Sequence, residues 1–464
     1  MSVVVVGAGP SGLAAACALR LHGVPVRVVD AAPAPATTSR ALGLQPRGSE
    51  VLERLGALGD LPARAVGIRR VIVHVGGRRS GELLVGHPTA LVRRPGLLVS
   101  QAEVEAGLRA RLADLGVRVE WDTAVTGLDQ DGRRVTLTTS AGPVATDWVI
   151  GCDGAHSAVR KAAGIDFPGV ALVEGFVLGD VRTDMPVPRD SVGVWVRGGE
   201  MFAAFPLPGG VWRFMAPAPG TSVQDVPEFL TRAAHRHAGA RVPAGESWLW
   251  VSVFRIHRRL ASTYRRGRIL LAGDAAHIHS PFGGQGMNTG LGDAENLAWR
   301  LALVASGRAG KRLLDGYEAE RRPVAEEVLG ATSGLTGLVL GESQAARLVR
   351  DRVLFPLLGL RPVEKLIWEQ ASQLKASYAR SPFGRRPRVG DRVPEFAAAD
   401  RFGWTLVSPR DEDCAAVARD LLGDARHVHR DGDALLVRPD GHLAWRGKPE
   451  PAALRRALAV MLDR

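Results

Sequence analysis

The sequence predicts an α/β protein built from a Rossmann-like nucleotide-binding domain, an inserted β-sheet domain and a short C-terminal domain. Three observations predict it. Residues 2–30 read as strand, glycine turn, helix, strand and terminal acid. Residues 268–302 read as strand, glycine-rich loop and helix. Between them, from about 175 to 257, short apolar runs punctuated by Pro and Gly read as strands with one helix.

The first unit opens with Ser2–Val6, a near-continuous apolar strand. GAGPSG follows, setting Gly7, Gly9 and Gly12 around Pro10 and Ser11, and a helical run extends from Leu13 to Leu21. A second strand, Val24 to Val29, ends at Asp30, 18 positions past Gly12. This is the dinucleotide fingerprint. The first glycine makes the tight turn, the second admits the pyrophosphate, and the third lets helix and strand pack closely. Asp30 falls where an acid accepts from the adenosine ribose hydroxyls.

In the later unit, Ile269, Leu270 and Leu271 form a buried strand ending at Gly273–Asp274. Gly283, Gly284, Gly286 and Gly290 make a loop into a helix spaced by Leu291, Ala294, Leu297, Ala298 and Leu301. An acid at a strand end can hold a sugar hydroxyl, and the positive start of a helix favours an electron-rich group. Together with the N-terminal unit, this reads as a flavin site. His277 and His279 form an HxH with no third ligand nearby, so they are expected to shape the turn, and no metal site is expected.

A third piece, VIGCDGAHSAVR, runs from Val149 to Arg160: a strand, then an Asp153–Gly154 turn into a short helix carrying Arg160. In this order and spacing the three motifs resemble those of the class A flavoprotein monooxygenases, the p-hydroxybenzoate hydroxylase group. Within that group the chain is most similar to the aromatic hydroxylases that tailor polyketide antibiotics, over nearly its whole length. The resemblance implies FAD as cofactor and NADPH (or NADH) as a transiently docked reductant. It also implies hydroxylation of an aromatic polyketide or related polycyclic product through a flavin C4a-hydroperoxide. Only one GxGxxG occurs, which agrees with the lack of a separate nicotinamide domain.

The same resemblance assigns residues. Asp153 serves both FAD and NADPH, and Arg160 partners a phosphate. Gly273 and Asp274 hold the flavin ribityl or ribose hydroxyls. Pro281, Gly284 and the backbone of Gly286, Met287 and Asn288 meet the isoalloxazine ring. Arg40 in SRALG and Gln101 in SQAEVE match positions that contact the flavin or its phosphates. The inserted sheet supplies the substrate wall, with Trp195, Phe205 and Phe214 as candidate lining residues. No catalytic base is assigned.

Domain boundaries follow the change of pattern. Residues 1–174 and 268–330 are expected to form the FAD-binding domain, with 68–99 partly contributing to the substrate domain. Residues 175–267 form that sheet domain, and 331–381 a helical segment broken at Pro356 and Pro362. Residues 387–464 follow a Pro/Gly/Arg-rich linker and hold the hairpin ALLVRPDGHLAWR. By the resemblance this last part is a shortened thioredoxin-like domain, and its lone Cys414 argues against redox activity.

Composition narrows the classes. With 46% hydrophobic and 23% charged residues the chain is globular. A net charge of +12 invites a nucleic-acid reading, but the basic residues are mostly scattered arginines, with only five lysines, and aromatic residues make up 5%. No stacking platform results, so no nucleic-acid partner is expected. Cys17, Cys152 and Cys414 make no CxxC, which excludes a flavin-linked dithiol reductase. No apolar run reaches membrane-spanning length, and the expected location is cytoplasmic. The expected partners are a small aromatic molecule and O₂, with the chain a monomer or homodimer. Baeyer–Villiger oxygenation, epoxidation and oxidative inactivation of an aromatic antibiotic use the same flavin chemistry and stay open. A flavin-bearing binding or structural partner without turnover is the non-enzymatic alternative.

Overall fold

The structure is a computed structural model. It describes the chain apart from residues 39–40, 244–246, 280–283, 341–342, 380–385, 397–401, 410–411 and 464, and apart from the side chains of 171–174, 256, 331–340 and 412.

Val3–Val6 is buried along its whole length, as a strand covered on both faces must be. It lies inside a six-stranded sheet, in the order Arg265–Arg266, Ile269–Leu271, Trp148–Gly151, Val3–Val6, Val26–Val29, Val119–Glu120. All pairings are parallel except that of the outermost Arg265–Arg266. Register matters here. Val6 pairs with Gly151 and Val29, and Gly151 pairs with Leu271. The GAGPSG turn, the Asp153–Gly154 turn and the Gly273–Asp274 turn therefore leave the sheet side by side at its carboxyl edge, where open parallel sheets bind ligands.

The helix Pro10–Leu21 packs on this sheet and against Gly286–Ala305, a 20-residue helix buried from Met287 to Val304. Gly286 and Gly290, expected in a loop, belong to that helix. The reason is packing. A Cβ at Gly290 would collide with the Ser11 hydroxyl, so glycine here serves close helix approach rather than a turn.

A second, eight-stranded sheet runs in the order His277–Ile278, Trp248–Leu260, Gly169–Arg182, Val211–Pro217, Glu200–Pro206, Ser191–Arg197, Arg70–Val75, Arg78–Leu84. Only the Ser191–Arg197 and Arg70–Val75 pair is parallel. Helix Val226–Ala238 covers one face through Val226, Leu230 and Ala234, which meet Trp195, Phe202, Trp212 and Phe214. The opposite face carries Leu178, Met201, Ala203, Phe205 and Met215 and meets Phe355 and Leu358. Pro356 does not break the chain's helical course: Phe355–Leu357 continues directly from a π-helical turn, Arg350–Leu354, while Pro362 opens Arg361–Ala371.

The C-terminal part is a four-stranded sheet, Ala425–His429, Trp404–Ser408, Ala434–Val437, Leu443–Gly447, with helices Glu412–Leu422 and Pro451–Met461. A parallel strand–helix–strand unit precedes an antiparallel hairpin and a closing helix, which is a thioredoxin-like order. The second and third strands are joined by a short loop. Cys414 is fully buried.

Candidate flavin and substrate site

One large cavity, about 1800 Å³, runs from the carboxyl edge of the parallel sheet to the inner face of the eight-stranded sheet. Its nucleotide end is built by the three turns. Gly7 has φ +104°, and a Cβ there would collide with the Cys152 carbonyl; a Cβ at Gly12 would collide with the Gly7 carbonyl. Gly9 differs: a Cβ there meets nothing within 4 Å, and the residue lines the cavity together with Pro10 and Ser11. An open space at the second glycine, inside a tightly packed turn, is what a pyrophosphate requires.

Asp274 presents its side chain to the cavity. Surrounding protein raises its carboxyl pKa, with His277 pulling the other way. Its carboxylate accepts no hydrogen bond from the described residues. An acceptor so placed calls for hydroxyl donors from a ligand. Facing it, helix Gly286–Ala305 starts without a side-chain cap, and Gln285, Gly286 and Met287 line the cavity. The first-turn N–H groups have no intrahelical acceptor. Gly284 lines the cavity too, with φ +59°, and Gln101 also faces it, its Nε2 donating to Glu105 Oε1 at 2.8 Å. These residues fit a flavin dinucleotide: space for phosphates, an acid for ribityl or ribose hydroxyls, and helix N–H groups for the ring.

Other expected residues are engaged by the protein itself. Asp30 accepts from Ala8 N–H at 2.6 Å and Ala32 N–H at 2.8 Å, so its carboxylate also fastens the fingerprint turn. Asp153 caps the short helix Ala158–Ala162, bonding Ser157 Oγ at 2.6 Å and Val159 N–H at 3.0 Å. Arg160 donates to the carbonyls of Ala275 (2.9 Å) and Ala155 (3.0 Å), with its guanidinium 3.8 Å from the Phe167 ring centre. It thus ties the Asp153 turn to the Asp274 turn from the cavity wall. Asn288 contributes its side chain, donating to Gly43 and Gly284 carbonyls and accepting from Gln45 N–H. Arg40 and Pro281 lie outside the described residues. His277 bonds Asp293 at 2.6 Å and stacks with His279 at 6.1 Å, so the HxH is part of the turn's framework.

Of the three aromatic residues proposed for the substrate wall, Phe205 lines the cavity. Trp195 and Phe214 sit on the other face of the sheet, under helix Val226–Ala238, which corrects the expectation for both. Strand pairing explains why. Trp195 is opposite Phe202 and Phe214 opposite Ala204, whereas Phe205 is opposite Arg213, and neighbours along a strand point to opposite faces. Sequence reading missed the apolar wall that does face the cavity, including Leu178, Met201, Met215, Phe254 and Trp368.

A family model described as FAD binding domain matches residues 1–332, and one described as aromatic-ring hydroxylase, C-terminal, matches 404–464. The chain belongs to the class A flavoprotein monooxygenases. This monooxygenase is 38% identical to a 6-methylpretetramide 4-monooxygenase of Streptomyces rimosus, over 96% of this chain and 90% of that one. It is 35% identical to a rifampicin monooxygenase of Streptomyces venezuelae, over 98% and 97%. Among solved structures it resembles an anhydrotetracycline hydroxylase from Streptomyces rimosus, with TM-score 0.82, 32% identity and 100% of both chains covered. Its cofactor is FAD, with NAD(P)H as reductant. Among the described residues, no helix is long and apolar enough to cross a membrane.

Proposed function

We propose that this enzyme hydroxylates a polycyclic aromatic polyketide with O₂ and NADPH or NADH. The observation that carries this reading is the cavity: about 1800 Å³, against roughly 300–1,000 Å³ for sites that take drug-sized ligands. A dinucleotide at its polar end leaves an apolar chamber for several fused rings. Phe205, Met215 and Phe254 form its wall, and Phe355, Leu358 and Trp368 its roof.

When bound, reduced FAD supplies the activated oxygen. The chain's residues do the rest. Asp274 and the start of helix Gly286–Ala305 hold the cofactor, the apolar wall excludes water, and its breadth orients a flat ring system toward the flavin. The rifampicin monooxygenase relative favours a second reading, oxidative inactivation of an aromatic antibiotic by the same chemistry.

The test is NAD(P)H oxidation in air by the FAD-loaded enzyme. A tetracyclic aromatic polyketide is expected to accelerate it at least about tenfold, and a monocyclic phenol to have little effect, because only the larger ring system fills the chamber. Equal rates with both compounds, or with neither present, would contradict the substrate reading.

A further inference from the structure

Behind the Asp274 turn lies a buried polar chain that makes no contact with the cavity. Asp293, in the long helix, is fully buried. Its Oδ2 accepts from Gly273 N–H at 3.2 Å and bonds His277 Nε2 at 2.6 Å, so one carboxylate oxygen holds both flanks of Asp274. Its Oδ1 accepts from Arg321 Nε at 2.8 Å. Burial alone would raise this carboxyl's pKa, but His277 and Arg321 hold it below the ordinary value.

Arg321 extends the chain in two directions. One Nη donates to the Thr289 carbonyl at 3.0 Å, in the first turn of the helix that faces the cavity. The other donates to the Tyr378 hydroxyl at 2.9 Å. Tyr378 stacks on His442 of the C-terminal part, ring centres 4.3 Å apart, and the Arg438 guanidinium lies 5.2 Å from the same ring. Arg438 pairs with Asp440 and Glu320, and Asp440 Oδ2 accepts from Asn296 Nδ2 at 3.2 Å, back on the long helix. The helix is held at its first turn and again near its middle.

A hydrophobic seam would join these parts at least as firmly, since burying charges is costly. What fixed hydrogen bonds add is direction. Here the directed groups are the Asp274 turn and the first-turn N–H groups. We propose that Asp293, Arg321 and Tyr378 are positioning residues for the FAD site, and that through them the C-terminal part sets the orientation of Asp274. The inference rests on Asp274 as the acceptor of FAD hydroxyls.

The test is FAD affinity, measured by titration into the full-length apoprotein, for Asp274→Ala, Tyr378→Phe, Asp293→Asn and the double variant Asp274→Ala/Tyr378→Phe. Tyr378→Phe keeps the ring on His442 and removes one acceptor. It is expected to raise the Kd about 5–10-fold, and Asp293→Asn more, because charge-assisted bonds are lost. Tyr378→Phe should add less than about twofold in the Asp274→Ala background, since both changes act through one contact. The melting temperature of each apoprotein separates lost folding from lost positioning. A Kd for Tyr378→Phe and Asp293→Asn within about twofold of the parent, or full additivity in the double variant, overturns the coupling. An unchanged Kd in Asp274→Ala overturns the assignment of Asp274 itself, and the coupling with it.

Discussion

Gly9 and Gly12 stand three positions apart in one motif and meet opposite demands. Gly12 lies against the Gly7 carbonyl, where any side chain collides with backbone; Gly9 opens on the cavity with an ordinary φ of −74°. Gly9→Ala is therefore expected to leave the apoprotein's melting temperature nearly unchanged while weakening FAD binding by tenfold or more, about 1.4 kcal/mol. Gly12→Ala should lower the melting temperature itself through overpacking, at about 1–3 kcal/mol. Calorimetry of the apoproteins and FAD titration check both, and equal FAD affinity in Gly9→Ala and the parent would remove Gly9 from the site. The roles of Gly7, Gly9 and Gly12 were legible in the sequence because the fingerprint is a local motif; that of Gly290, packed against Ser11 from a distant helix, was not. The competing partners of Asp30, Asp153 and Arg160 were not: those side chains also bond the protein's own backbone, at Ala8, Val159 and Ala275. Asp293 did leave a signal. It shares a helix face with Leu297 and Leu301, and an acid on an apolar stripe calls for a buried partner.

Among elements, the short apolar runs between 175 and 257 are strands, as the sequence predicts, including Ser191–Arg197, Glu200–Pro206 and Val211–Pro217. The sequence pattern did not say which face of them meets substrate. Both faces are apolar, one set closing under helix Val226–Ala238 and the other lining the cavity, so alternation carries no polar face to mark the outside. Only the partner packed on each face decides, and that partner is distant in sequence. The two faces predict different mutant behaviour. Phe214→Ala empties a site with no exposed surface and should cost about 3–5 kcal/mol of stability. Phe205→Ala, on the half-buried cavity face, should cost less stability and change KM and coupling of NAD(P)H oxidation to product. Thermal melts with steady-state kinetics test this; a larger stability loss in Phe205→Ala than in Phe214→Ala would contradict the assignment of faces.

For the whole molecule, the three motifs matter because parallel pairing brings their turns to one edge. That convergence was legible from strand-then-turn patterns repeated along the chain. The size and shape of the chamber were not, since it is closed by segments far apart in sequence, from Val71 to Trp368. On the proposed reading, this chamber lets a flavin deliver one oxygen atom of O₂ to a polycyclic ring. Turnover under ¹⁸O₂ with NAD(P)H and an accepted polycyclic aromatic substrate tests it most directly. One ¹⁸O atom is expected in the product, the other in released water, with one NAD(P)H consumed per product. Product labelled from H₂¹⁸O instead, or converted with no oxygen gained, would contradict it.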